Sequence, residues 1–306
     1  MFNKIISTSD IQLISNHKPF PEEKMQSLLK GLDPRLTELY KKSVQFFNRL
    51  NDPAYFNGFY QTIKNVADII MSENLLGIEG IFGVGHLFYG NVDFRYRMYN
   101  TLKQAAKKTS YYYDLGKYLL PDIDLFIVYK NTQGPISIFS ETACLKELFV
   151  ENSILFNRQW NNINRRLYHE ITNGFKIANR NEDPVDEFFN HGRLHVDLFP
   201  IPADLFKESL NYTHPQYFKK IVFFRDMLFT CHPLNIKNSE LLITLNQYRK
   251  QVVRDILKLY PDKNPLDMVI HLQPHYKNFI STYKELPLYL QNLWKPIVDE
   301  VLSEKK

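Results

Sequence analysis

Apolar residues recur at helical spacing through most of the first 75 positions. After Asp33-Pro34 the stripe is Leu36, Leu39, Tyr40, Val44, Phe47 and Leu50; after Asp52-Pro53 it is Phe56, Phe59, Ile63, Val66 and Ile70. Each Asp-Pro pair sets an N-cap residue before a proline suited to the first helical position, so the pattern predicts a helical hairpin. From about residue 77 the period shortens to two. Residues 81–84 form a short apolar run ending in glycines, 122–129 read DIDLFIVY, and 193–201 read RLHVDLFPI, a strand expected to stop at Pro200 and Pro202. Residues 174–178 are a further candidate strand, 131–134 (NTQG) before 136–139 predict a hairpin, and 141–172 read mainly as helix. From 203 onward the helical period returns, clearest at Leu241, Leu245, Tyr248, Val252, Ile256 and Leu259, with Ser239 as the expected N-cap. A last helix after Pro287 should be kinked by Pro296. Helices, then strands separated by helical crossovers, then helices predict an α/β (α+β) chain with a small mixed sheet. The expected division is 1–202, with its core at about 77–202, and a C-terminal helical domain over 203–306.

Composition narrows the class. The chain has 306 residues, 44% hydrophobic and 23% charged, with 11 Gly and 16 Pro, which fits neither a disordered chain, a collagen nor a coiled coil. Its net charge of +5 is a mild bias toward anionic partners, without the basic stripe of a dedicated nucleic-acid binder. Cys144 and Cys231 belong to no C-x-x-C pair and cannot make a disulfide framework. The sequence has neither a signal-like start nor an apolar run of about 18 residues, so the expected compartment is cytoplasmic, with no membrane partner.

Three segments carry candidate chemistry: Val84-Gly85-His86-Leu87-Phe88-Tyr89-Gly90 after an apolar strand, Asp122-Ile123-Asp124 opening another, and His195-Val196-Asp197 within a third. Together they resemble the nucleotidyltransferase superfamily of DNA polymerase beta, the poly(A) polymerases and the antibiotic nucleotidyltransferases. That superfamily carries a glycine-serine motif with a second glycine, an Asp-x-Asp pair at a strand start and a third aspartate on a neighbouring strand. The resemblance covers residues 77–202 at motif level. It implies transfer of a nucleoside monophosphate from an NTP to an acceptor hydroxyl of a nucleic acid, a protein or a small molecule, with release of pyrophosphate. It further implies Mg²⁺ or Mn²⁺ on Asp122, Asp124 and Asp197, and a triphosphate seated by Gly85, His86 and Gly90. Asp197 would assist deprotonation of the acceptor.

The residues support the same chemistry independently. Side chains alternate along a strand, so Asp122 and Asp124 share one face while Ile123, Leu125 and Ile127 share the other; His195 and Asp197 likewise lie opposite Leu194 and Val196. If the two strands are neighbours, three carboxylates converge. Their mutual repulsion is relieved by hard divalent cations, which favour a few carboxylates plus substrate phosphates. A glycine-bearing turn from strand to helix lets backbone N–H groups approach phosphate oxygens.

Two features depart from the family pattern. His86 stands where the family has serine, and this keeps open a second reading: an inactive descendant that binds nucleotide or a protein partner. Residues 91–121 also form a long bridge containing Arg95, Arg97, Lys103, Lys107, Lys108 and Tyr111-Tyr112-Tyr113. Such a mixture either grips phosphates and bases or is an amphipathic helix followed by core tyrosines. His271 and His275 have i, i+4 spacing, but Pro274 between them disfavours a shared metal.

Overall fold

Asp33 and Asp52 start the N-terminal helices as their Asp-Pro pairs predict. A computed structural model of the chain describes residues 22–50, 52–73, 77–89, 91–130, 164–169, 175–179, 181–210, 231–272 and 288–304. Helix α1 (Glu22–Lys30) precedes α2 (Pro34–Arg49) and α3 (Pro53–Ser72). The Asp33 side chain accepts from Arg35 N, and that of Asp52 from Ala54 N and Tyr55 N, satisfying amides that the helix itself leaves open.

The sheet follows. Strand β1 (Ile78–Val84) leads through Gly85 into the single turn α4 (His86–Tyr89), then α5 (Asn91–Ala105) and α6 (Tyr112–Gly116). Strands β2 (Asp122–Tyr129) and β3 (Lys176–Ile177) precede α7 (Pro184–His191) and β4 (Arg193–Pro202). Next come α8 (Ala203–Leu210), β5 (His232–Ile236), α9 (Ser239–Leu259), α10 (Pro265–Leu272) and α11 (Leu288–Ser303). The strand order is β3-β4-β2-β1-β5. β2 and β4 are parallel neighbours, β3 joins β4 in parallel, and β1 runs antiparallel to both β2 and β5. The chain is therefore a mixed α/β fold around a five-stranded sheet.

Both faces of that sheet are sealed. Ile123, Leu125 and Ile127 join Leu194 and Val196 in a core shared with the N-terminal helices. On the opposite face Phe126 and Val128, with Phe82, Val84 and Ile201, meet Leu241, Leu245 and Tyr248 of α9. Burial on two sides explains why β2 runs apolar without alternation once Asp124 is passed. It also places the acidic residues at the one end of β2 where alternation survives.

Several expectations change in detail. The segment after 203, expected to be helical throughout, contributes β5; its five residues include a proline and lie on the sheet edge, so they show no strand pattern. The cap of α9 is Asn238, whose side chain accepts from Glu240 N, rather than Ser239. β4 does not stop at Pro200 but continues to Pro202, with Pro200 level with Ile127. Its other neighbour, β3, pairs with β4 only at Arg193 and Leu194, so the prolines interrupt no ladder on that side among the described residues. Pro296 lies inside α11. In the bridge, Tyr112 is buried under the Arg35 guanidinium at 4.3 Å, whereas Tyr111 and Tyr113 are exposed. Of the helix expected over 141–172, residues 164–169 are described and helical. The hairpin partner at 136–139 and His275 lie outside the described residues. No helix among the described residues is long and apolar enough to cross a membrane.

Candidate metal centre

The parallel register of β2 and β4 sets Asp122 beside His195 and Asp124 beside Asp197. Alternation then turns all four side chains to one face at one end of the sheet. Asp122, Asp124 and Asp197 each offer a carboxylate oxygen, and these oxygens lie within 4.8 Å of one another. Three oxygens at that spacing could hold a metal ion. Accessibility differs across the group: Asp124 is buried at 8% exposure, whereas Asp122 and Asp197 are both half-buried, with the Asp197 side chain 45% exposed. One carboxylate is thus fixed in the wall while another faces arriving molecules. Nδ1 of His195 lies 3.2 Å from Oδ1 of Asp197 and restrains its rotamer.

The glycine turn is built around the same carboxylates. Val84 is level with Asp124 across the β1–β2 ladder, and the next residue, Gly85, has φ of +80°. A Cβ on Gly85 would lie 1.8 Å from Oδ2 of Asp124. Glycine is therefore required twice over, for the left-handed backbone and for the space the Asp124 carboxylate occupies. The sequence reading assigned Gly85 to phosphate approach and gave no hint of this second duty. His86 begins α4, but its side chain, like the whole of Gly90, lies outside the described residues.

Behind the turn stands a layer that sequence reasoning missed. The Phe88 ring fills the space over Gly83, where a Cβ would come within 2.0 Å of its Cζ. His232 of β5, level with Gly83, stacks on Phe88 with centroids 6.1 Å apart, and its Nε2 lies 3.1 Å from the Tyr60 hydroxyl of α3. Burial, with a smaller contribution from the Arg249 charge, pushes His232 down to about 4, so its ring is neutral near pH 7. The local signal was the Gly83-x-Gly85 spacing. Phe88 is close to that signal in sequence, but Asp124, His232 and Tyr60 come from far away in the chain.

No family model, no curated protein and no solved structure matches the chain. The functional reading accordingly rests on the motifs and on the geometry in which they meet.

Proposed function

We propose that this protein is a metal-dependent nucleotidyltransferase with a nucleotidyltransferase-like core, moving a nucleoside monophosphate from an NTP to an acceptor hydroxyl. The observation that carries the reading is the meeting of Asp122, Asp124 and Asp197 on parallel neighbouring strands beside the Gly85 turn. An all-carboxylate donor set fits Mg²⁺ or Mn²⁺ better than the softer metals that seek histidine and cysteine. Asp122, Asp124 and Asp197 would hold the ion, which when bound supplies charge neutralisation for the triphosphate and a more acidic acceptor hydroxyl.

The chain's own residues supply the remainder. Gly85 lies at the turn after β1, and the motif it opens, with His86 and Gly90, would seat the triphosphate. The acceptor oxygen forms a bond to the α-phosphorus as the bond from that phosphorus to the α,β-bridging oxygen breaks, and pyrophosphate departs with the electron pair. Asp197, whose side chain is partly open to solvent, takes the acceptor proton. His195 acts as its positioning residue. Phe88 and His232 hold the turn from behind, so the seat is formed before substrate arrives.

Thermal unfolding with each of the four NTPs, with and without Mg²⁺ or Mn²⁺, tests the proposal without knowledge of the acceptor. A nucleotide at about 100 times its dissociation constant should stabilise the wild type by roughly 2.7 kcal/mol. The proposal requires that part of this gain depend on the metal, and that this metal-dependent part vanish in the Asp122→Asn/Asp124→Asn variant. Stabilisation without any need for metal would instead fit an inactive nucleotide-binding module, and none at all in a folded sample would overturn both readings.

A further inference from the structure

On the side of the sheet covered by the N-terminal helices, α2, α3, β3 and α7 line an open cavity of about 820 Å³, within the range of small-molecule sites. Its apolar wall is almost wholly aromatic. Phe46, Tyr55, Phe175 and Phe188 meet edge to face there, with Tyr55 and Phe175 centroids 4.9 Å apart and Phe46 and Phe175 centroids 5.8 Å apart. Among the described residues its charged lining is entirely basic: Lys42, Arg49 and Lys176, with His191 beside them and no carboxylate.

Part of this charge is committed to packing and part is open to solvent. Lys42 is anchored, its Nζ donating to the Phe189 carbonyl at 2.9 Å and lying over the Phe189 ring. Arg49 and Lys176 are exposed, and neither forms an ion pair among the described residues; the Arg49 guanidinium lies 4.1 Å over the Tyr55 ring. Three cations around one concavity with no neutralising acid create a field that favours an anion. A wall of rings rather than aliphatic side chains favours a planar ligand over an acyl chain.

We propose that this cavity binds a nucleoside phosphate, with the base against the aromatic wall and the phosphate at Arg49 and Lys176. The same chemistry is offered by a free nucleotide and by one unit of a single-stranded nucleic acid. The site is separate from the aspartates and does not depend on their role.

Equilibrium titration of the full chain in EDTA, which silences any metal centre, provides the test. The probes are the four nucleoside 5′-monophosphates and mixed-sequence single strands of RNA and DNA of about twelve nucleotides, enough to fill a typical single-strand site. Saturable binding is expected, weakened about tenfold or more in Arg49→Glu/Lys176→Glu and unchanged in Asp122→Asn/Asp124→Asn. Binding of mononucleotides assigns the cavity to free nucleotide, and binding confined to the oligomers assigns it to a strand. Absence of saturable binding to folded wild type, or binding that Arg49→Glu/Lys176→Glu leaves unchanged, overturns the proposal. Loss of metal-dependent NTP stabilisation with EDTA binding intact would instead count against the transferase reading alone.

Discussion

The acidic centre and the basic cavity are opposites in sign and in construction. Asp122, Asp124 and Asp197 sit on two hydrogen-bonded strands, where backbone register alone sets their spacing. The cavity is assembled from the last two turns of α2, the start of α3, the edge strand β3 and the end of α7, so its shape depends on how helices pack. Strand register tolerates no intermediate, because a slip of one residue would turn Asp197 to the opposite face. Helix packing is more forgiving. The comparison predicts that the centre responds to single substitutions in an all-or-none manner and the cavity by degrees.

The largest effect should come from Asp124→Asn. Removing the buried member of the carboxylate group should lower nucleotidyl transfer by about 10³-fold, roughly 4 kcal/mol of transition-state stabilisation, as read by kcat/KM once an acceptor is known. A fall of only a few-fold would leave the centre no more demanding than the cavity.

Next in size is an acid-sensitive loss of stability at the layer behind the turn. His232 has a native value of about 4 against an ordinary 6.5, so the unfolded chain binds the extra proton between those values. Its contribution is fully present above pH 6.5 and is lost as pH falls towards 4, by about 3 kcal/mol at most. Urea unfolding across that range, compared with His232→Gln, should show the slope flattening in the variant. An unchanged slope would remove His232 from the account.

Smaller, but more pointed, is a pair of glycine substitutions. Gly85 and Gly192 both have positive φ, +80° and +64°, yet a Cβ meets Asp124 at the first and open space at the second. Gly192→Ala should cost about 1 kcal/mol, the backbone penalty alone. Gly85→Ala should cost about 2 kcal/mol and also abolish metal-dependent nucleotide binding, because Asp124 must move. Equal costs and intact binding in both would mean that the turn and the carboxylate are independent.

The two regions also differ in how far they could be read in advance. Asp122, Asp124 and Asp197 were legible because alternation is a local property: DIDLF and HVDLF each declare which side chains share a face. The adjacency of the two strands was conditional, and the parallel β2–β4 ladder supplies it. The two N-terminal helices were legible for the same local reason, through Asp33, Asp52 and their prolines, and Asp183-Pro184 starts α7 in the same way. By contrast, Phe59 showed only a place in a helical stripe and Phe46 lay outside the stripe of its own helix, with no sign that Phe175 would meet both. Nor did His232 betray its partnership with Tyr60, because no period links an edge strand to a helix far earlier in the chain. β5 escaped notice for a related reason, since HPLNI is half-exposed and carries no alternation of its own.

The parallel ladder also has a kinetic consequence. β2 cannot pair with β4 until the whole crossover between them has been closed, and non-local parallel pairing is among the slower events in folding. During synthesis Asp122 and Asp124 leave the ribosome well before Asp197, so a nascent chain carries an incomplete ligand set until β4 emerges. Acquisition of metal affinity during refolding would then time the docking of β4 onto β2, providing a clock for the central step of assembly.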